Sequence, residues 1–462
     1  VRNYRRSLDS RTGLGTVSYS IGEGRFTREF FCSYPHDVVV ARYTAEGAKL
    51  NLTVHTTSRH KGAQVSAADN RIILSGKAKM VQDDVEFMQI VQIDAGDADV
   101  TPQPDGSLKI AGASDVTIVL AGYCDYLPIY PSFKGRGYQA DCEKRIAAAT
   151  KLGFDSLKKS HVDDVSMMVN RCRLELDFEP SGLTTDKLVS GDGSLELENL
   201  YFHYSRYLQL CCSRGAPVPS NLQGLWNADL KPAWNCDYHT DINVQMNYWM
   251  VDPANLSESF HPFVQWTKIL AESGSHTARE TFGVQKGWSM GLNGNVFGFT
   301  AQNEHGRRNQ QGGHWLCQNL FDHYAFTQDR AYLEEIYPIL NNYLVKQYSK
   351  LNKQAYGASW DQQLVLNLFT DCIEASTTLR RDDEFRKTLQ EIIPNLCPQK
   401  IGQYGQLQEW PEDWDNPKDT HRHISHLIAL HPGRDISPLT TKELHQAALV
   451  TMKHRGDEST GW

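Results

Sequence analysis

No run of 18 or more apolar residues occurs in this 462-residue chain, so no helix long enough to cross a bilayer is expected. A charged-then-apolar leader is missing at the start. Val1 is not an initiator residue, so the natural N-terminus is expected upstream. Basic blocks are absent as well. With a formal net charge of −8, neither nucleic acid nor an anionic membrane surface is expected as a partner. The ten cysteines contain no CxxC or Cys/His metal spacing, and no HExxH occurs, so no metal and no other cofactor are expected. Cys211–Cys212 sits in an amphipathic run and reads as packing. GLNGNVFG at 291–298 is Gly-rich without the strand–GxGxxG–helix setting of a phosphate site, and no GxSxG spacing for a serine-nucleophile elbow is read from the chain. What remains is carboxylate chemistry.

Against these absences, one stretch is dense in short polar and aromatic side chains. Pro219–Trp249 holds three Trp, two Tyr, three Asp, five Asn and a His, with a single Lys and neither Glu nor Arg. Asn and Asp favour caps and turns over element interiors. Indoles beside short hydrogen-bonding groups suit a sugar ring, whose C–H face meets the aromatic plane while its hydroxyls meet the polar rim. A buried polar loop with Trp as core is the alternative. Two further clusters, Trp288–Trp315 and Leu407–Gly433, have the same character, and all three together predict a binding cleft. In HRHISH, His421, His423 and His426 lack the facing and the following Glu of a metal site; a His–Arg pair contacting hydroxyls is the preferred reading.

Residues 1 to about 125 read as short strands (16–21, 26–32, 38–45, 50–54, 71–74, 86–93, 108–110 and 116–121) separated by turns such as Pro104-Asp105-Gly106, which predicts an antiparallel sandwich. Helices are expected at 142–152 and 154–170, a short strand at 174–178, and a polar linker at 180–192. One helix face is read from Leu197, Leu200, Tyr201, Tyr204, Leu208 and Cys211. Further helical runs start at Pro262 and cover 313–327, 331–348, 360–380, 382–393, 421–430 and 440–454. Helices joined alternately by short and long loops suggest an α/α toroid with the long loops gathered at one end.

NLQGLWN followed by YHTDINVQMNYW resembles the signature of glycoside hydrolase family 95, the inverting α-L-fucosidases and α-L-galactosidases. YRRSLD, FTRE, TTDKL, FHYSRYLQL, GGHWLCQNLFDHYAFTQD, IGQYGQLQEWPEDW, HRHISHLIALHPGRDIS and RGDESTGW follow in the family's order. The resemblance implies a multidomain α+β chain: part of an N-terminal antiparallel β-sandwich (1–139), a helical linker (140–192) and part of an (α/α)6 helical barrel (193–462). It implies release of terminal α-linked L-fucose from an oligosaccharide or glycan, and a secreted, periplasmic or cell-surface location. L-galactoside hydrolysis and fucoside binding without catalysis are the alternatives. In the family a Glu is the general acid, and an N-x-N pair with a nearby Asp activates water. Those two positions fall here on Asp241 and Asn243, the expected catalytic residues. Asp241 is a carboxylate where the family has an amide, and an ionised Asp beside a water is itself a general base. His239 matches a position lining the fucose pocket, Arg422 and His423 a substrate-contacting pair, and Trp315 an aromatic wall. Trp226 and Glu409 complete the expected substrate contacts. The family's acid lies in an SPEN-like segment, where this chain has only SKLNKQAYGAS (349–359), without a carboxylate. Glu304 and Glu409 are the carboxylates of the neighbouring clusters, and no general acid is assigned. The family's second Asp is expected beyond Trp462.

Overall fold

In the computed structural model the described residues are 1–79, 84–191, 193–301, 311–342 and 358–456. They form two compact units. The first takes Val1–Cys212 with 228–232 and 254–256; the second takes Ser213–Asn227, Ala233–Pro253 and the chain from Ser257.

The first unit is built on eleven strands: β1 (Arg2–Asp9), β2 (Leu14–Ile21), β3 (Gly24–Ser33), β4 (Val38–Glu46), β5 (Leu50–Val54), β6 (Gln64–Ala68), β7 (Arg71–Ala78), β8 (Val85–Asp94), β9 (Asp99–Pro102), β10 (Leu108–Ala113) and β11 (Asp115–Cys124). Eight make one antiparallel sheet in the order β1-β2-β3-β4-β11-β8-β7-β6, and β5-β10-β9 make a second. Strand period 2 sends alternate side chains to opposite faces. On one face Ile72, Val91, Ile93 and Val116 pack with Leu50, Leu108 and Ile110 of the small sheet, which closes the expected sandwich. On the other face Val40, opposite Val119, and Ile90, opposite Ala121, meet Cys142, Ile146, Ala149, Phe154 and Leu157. Those residues belong to α1 (Tyr138–Leu152) and α2 (Phe154–Asn170), broken at Gly153. Burying each large apolar side chain contributes about 1.5–3 kcal/mol, which is why these helices seat on the sheet.

Three sequence expectations fail in this unit. Residues 174–178 form no strand. β1, β6 and β9, unread in the sequence, are polar strands; β1 and β6 are the edges of the large sheet, where alternation is weak. After the short α3 (Thr185–Val189), helix α4 (Leu195–Ser213) does not bury the face led by Tyr201, which is 72% exposed. It buries Arg206, Gln209, Leu210 and Cys212 instead. Arg206 donates to Met168 O, Val169 O and Cys172 O at the end of α2 and to Ala254 O, at 2.9–3.3 Å. A cation answering the open carbonyls of a helix C-terminus outweighed the apolar stripe.

The second unit is helical: α5 (Asn243–Asn247), α6 (His261–Phe282), α7 (Gln311–Thr327), α8 (Arg330–Leu340), α9 (Ser359–Leu379), α10 (Asp383–Ile392) and α11 (Lys442–Arg455), with one two-stranded ribbon, β12 (Tyr238–His239) and β13 (Asn293–Gly294). α7 packs on α8 and α9, and α9 on α8 and α10. Asp329 caps α8 by accepting from Ala331 N and Tyr332 N at 2.8 and 3.2 Å. The expected helix over 421–430 does not form. Residues 425–427 make one 3₁₀ turn and the remainder is turn and loop, fastened by Gln363, whose amide donates to His426 O and accepts from Ala429 N. No described helix is long and apolar enough to cross a membrane.

Candidate active site

The site is assembled on the β12–β13 ribbon of the second unit. Trp234, Asn235 and Cys236 are consecutive left-handed residues, with φ of 46°, 57° and 46°. Non-glycine residues reach this region only under constraint, and such strain clusters at functional sites. The turn delivers Asp237 into β12. The ribbon is fixed from behind: Tyr238 OH donates to Pro219 O at 2.8 Å, and Thr240 is tied through its backbone and hydroxyl to Gly291 O and Leu292 O at 2.9 Å. α7 closes on the same threonine; a Cβ on Gly312 would overlap Thr240 Oγ1.

The ribbon register sets His239 opposite Asn293. Asp237 Oδ1 lies 2.5 Å from His239 Nδ1, and Asp237 Oδ2 accepts from Asn293 Nδ2 at 3.1 Å. Asn293 Nδ2 is also 3.4 Å from His239 Nε2. The Asp237 carboxylate pushes the His239 pKa up, against burial. Two residues on, Asp241 Oδ1 is buried without a hydrogen-bond partner. Burial raises the Asp241 pKa, while His239 and then His423 pull it back towards the ionised form. Asn243 opens α5 directly after Ile242, which packs with Trp249, Trp315 and Trp360 around Leu364 and Ile428.

Glu409 and the 421–423 loop meet through Arg455. Arg455 Nη2 donates to Glu409 Oε2 at 2.6 Å, and Nη1 donates to His421 O and His423 O at 3.1 and 3.3 Å. Burial raises the Glu409 pKa against the pull of Arg455. His426 Nδ1 is 3.6 Å from Glu409, and burial pushes its pKa down to about 3, so it is neutral there. Burial also lowers His423, with Arg422 next. A carboxylate held by its own backbone N–H, with Oδ1 left without a hydrogen-bond partner and two imidazoles acting on its charge, can take a proton from a water; that is the chemistry this arrangement offers.

The structure thus brings His239, Asp241 and His423 together and ties Glu409 to the loop holding His423. Arg422 is exposed, and Trp226 is 51% exposed in its own loop. Trp315 is 4% exposed, inside the aromatic core beside Ile242, with its indole N–H unpartnered like those of Trp249 and Trp360. Glu304 and most of 349–359 lie outside the described residues. Among the described residues no His, Cys, Asp and Glu group suited to a metal occurs. Asp237, Asn293 and Arg455 were given no role from sequence, although Arg455 opens the quoted RGD motif. Gly287-Trp288-Ser289-Met290-Gly291 does have GxSxG spacing, contrary to the reading above; Ser289 is fully buried in an irregular segment, with its N–H bound to Gly274 O, so no elbow forms.

A profile described as "Glycosyl hydrolase family 95 catalytic domain" matches residues 153–351 and 341–462. This chain belongs to glycosyl hydrolase family 95. Residues 1–128 of this family-95 chain match the family 65 N-terminal domain. "Probable alpha-fucosidase A" of Aspergillus niger is 32% identical over an alignment of 518 positions that takes in all of this chain and 65% of the relative. "Alpha-L-fucosidase 2" of Arabidopsis thaliana is 28% identical, with 62% of its length covered. The chain therefore spans a little under two thirds of these relatives. Among solved structures, a putative kojibiose phosphorylase from human microbiome aligns with a TM-score of 0.60 at 10% identity, covering 96% of this chain and 63% of the other, a likeness of fold alone. The family profile matches in two overlapping stretches that meet at 341–351, next to the interval where the general acid was expected.

Proposed function

We propose that this chain carries the water-activating half of an inverting α-L-fucosidase acting on fucosylated oligosaccharides or glycans. In this reading α4–α11 are part of an (α/α)6 barrel. The observation that carries it is the Asp241 carboxylate, with Oδ1 buried without a hydrogen-bond partner and with His239 and His423 acting on it electrostatically, in a family-95 chain. Asp241 is the general base for water, Asn243 helps hold that water, and His239, Arg422, His423, Trp315, Trp226 and Glu409 contact sugar. The names of the fungal and plant relatives support fucose as the sugar.

The departing oxygen is the weak point. SKLNKQAYGAS offers no carboxylate, and general acid catalysis contributes roughly 10²–10⁴-fold for a poor leaving group. A substrate whose leaving group needs no proton separates the two halves of the mechanism. The chain is expected to hydrolyse α-L-fucosyl fluoride, to act much more slowly on 2′-fucosyllactose, and to lose fluoride turnover on Asp241→Ala with fucose binding retained. Binding of fucose with no turnover of the fluoride would replace this reading with that of a fucoside-binding protein.

A further inference from the structure

From the ring of contacts on the β12–β13 ribbon we infer that Asp237, backed by Asn293, is a positioning residue that clamps the His239 imidazole and through it sets the state in which Asp241 works. The inference rests on the proposed role of Asp241.

The three side chains close a ring. Asp237 Oδ1 faces His239 Nδ1 at 2.5 Å, Asp237 Oδ2 takes a hydrogen from Asn293 Nδ2 at 3.1 Å, and the same amide nitrogen stands 3.4 Å from His239 Nε2. Asp237 Oδ1 stands at ion-pair distance from Nδ1 without a formed hydrogen bond, and its charge favours an imidazole that carries hydrogen there. Asp237 and His239 are 17% and 20% exposed, enough enclosure for the pair to act without full screening by solvent. The strand register that places His239 opposite Asn293 and the strained turn at 234–236 hold both partners, so the imidazole does not choose its own rotamer. Groups facing Asp241 are His239 and Asp237 from its own segment and His423 from the 421–423 loop; those facing His239 are Asp237 and Asp241. Asp237 favours the protonated imidazole, and the imidazole acts on Asp241 more strongly than Asp237 does directly. Removing the Asp237 charge therefore withdraws two opposed influences from Asp241, its direct repulsion and its support of the imidazolium.

The test uses the full chain with selectively ¹³C-labelled histidine, and His239→Gln to assign the resonance. In Asp237→Asn the His239 titration midpoint is expected to fall. The acid limb of the fucosyl fluoride pH–rate profile moves with it, with kcat down about tenfold or more and KM changed little, as when an orienting carboxylate is taken from an imidazole. Asp237→Glu, which restores the charge, is expected to recover part of both. A His239 midpoint unmoved by Asp237→Asn overturns the inference whether or not the chain turns over substrate. An unmoved midpoint in a wild type that hydrolyses the fluoride leaves the role of Asp241 standing while removing that of Asp237. A falling midpoint in a chain without turnover supports the clamp and defeats the hydrolase reading.

Discussion

Arg455→Met is the most informative perturbation of the wall opposite the ribbon. Arg455 and Glu409 side chains are 11% and 21% exposed, and the guanidinium also serves His421 O and His423 O. Breaking a fully buried pair costs about 3–5 kcal/mol, because it strands a charge. Taking about half of that, since neither side chain is fully enclosed, and adding about 1 kcal/mol for the two carbonyl bonds gives about 3 kcal/mol. For a unit of this size that is roughly 6–12 °C of Tm. The loss depends on pH, and its sign follows from the carboxyl. Burial already raises the Glu409 pKa, and Arg455 opposes it. Without Arg455 the pKa rises further, so near pH 5 Glu409 takes a proton and the penalty shrinks, while at pH 8 it stays a buried anion. Differential scanning calorimetry of wild type and Arg455→Met at both values is the assay. Glu409→Gln, which keeps the guanidinium–carbonyl bonds, is expected to cost less at pH 8. A Tm loss equal at the two pH values, or none, refutes the role given to this pair.

Other predictions address separate parts of the second unit. Burial pushes the Asp322 pKa up to about 7 from an ordinary 3.8, with Arg434 opposing and Asp252 adding to it. The folded state then holds the proton that the unfolded state has released, so stability falls as pH rises from about 4 to 7, by up to a few kcal/mol at about 1.4 kcal/mol per unit. Asp322→Asn is expected to flatten the stability–pH curve measured by urea melts across that window; a parallel curve counts against it. Gly312→Ala gains up to about 1 kcal/mol of helix preference yet drives a methyl into Thr240 Oγ1, held by two carbonyls, so net destabilisation of about 1–2 kcal/mol is expected in chemical denaturation. Asp241→Asn is expected to leave Tm unchanged or slightly raised, since it removes the charge of a carboxylate whose buried Oδ1 has no hydrogen-bond partner; a large drop places Asp241 in the architecture instead.

How far the sequence could be read depended on which force set each part. Val38–Glu46 and Asp115–Cys124 were legible because both faces of a central strand are apolar, and Phe154–Asn170 because its buried residues recur at helical spacing. α4 misled because a buried Arg, not an apolar stripe, chose its face. Residues 421–430 misled because helical spacing of apolar residues also suits a loop whose carbonyls are answered by Gln363 and Arg455. In the site, motif order pointed to His239, Asp241 and His423. Asp237 and Asn293 were hidden because 56 residues separate them and only ribbon pairing joins them. Arg455 was hidden for the same reason, since it reaches Glu409 across 46 residues.

The most direct test of the central claim is the anomer first released from α-L-fucosyl fluoride, followed by ¹H NMR before mutarotation, with Asp241→Ala in parallel. The account predicts β-L-fucose from the wild-type chain and no enzymatic release from Asp241→Ala. First release of α-L-fucose, or unchanged release by Asp241→Ala, contradicts it.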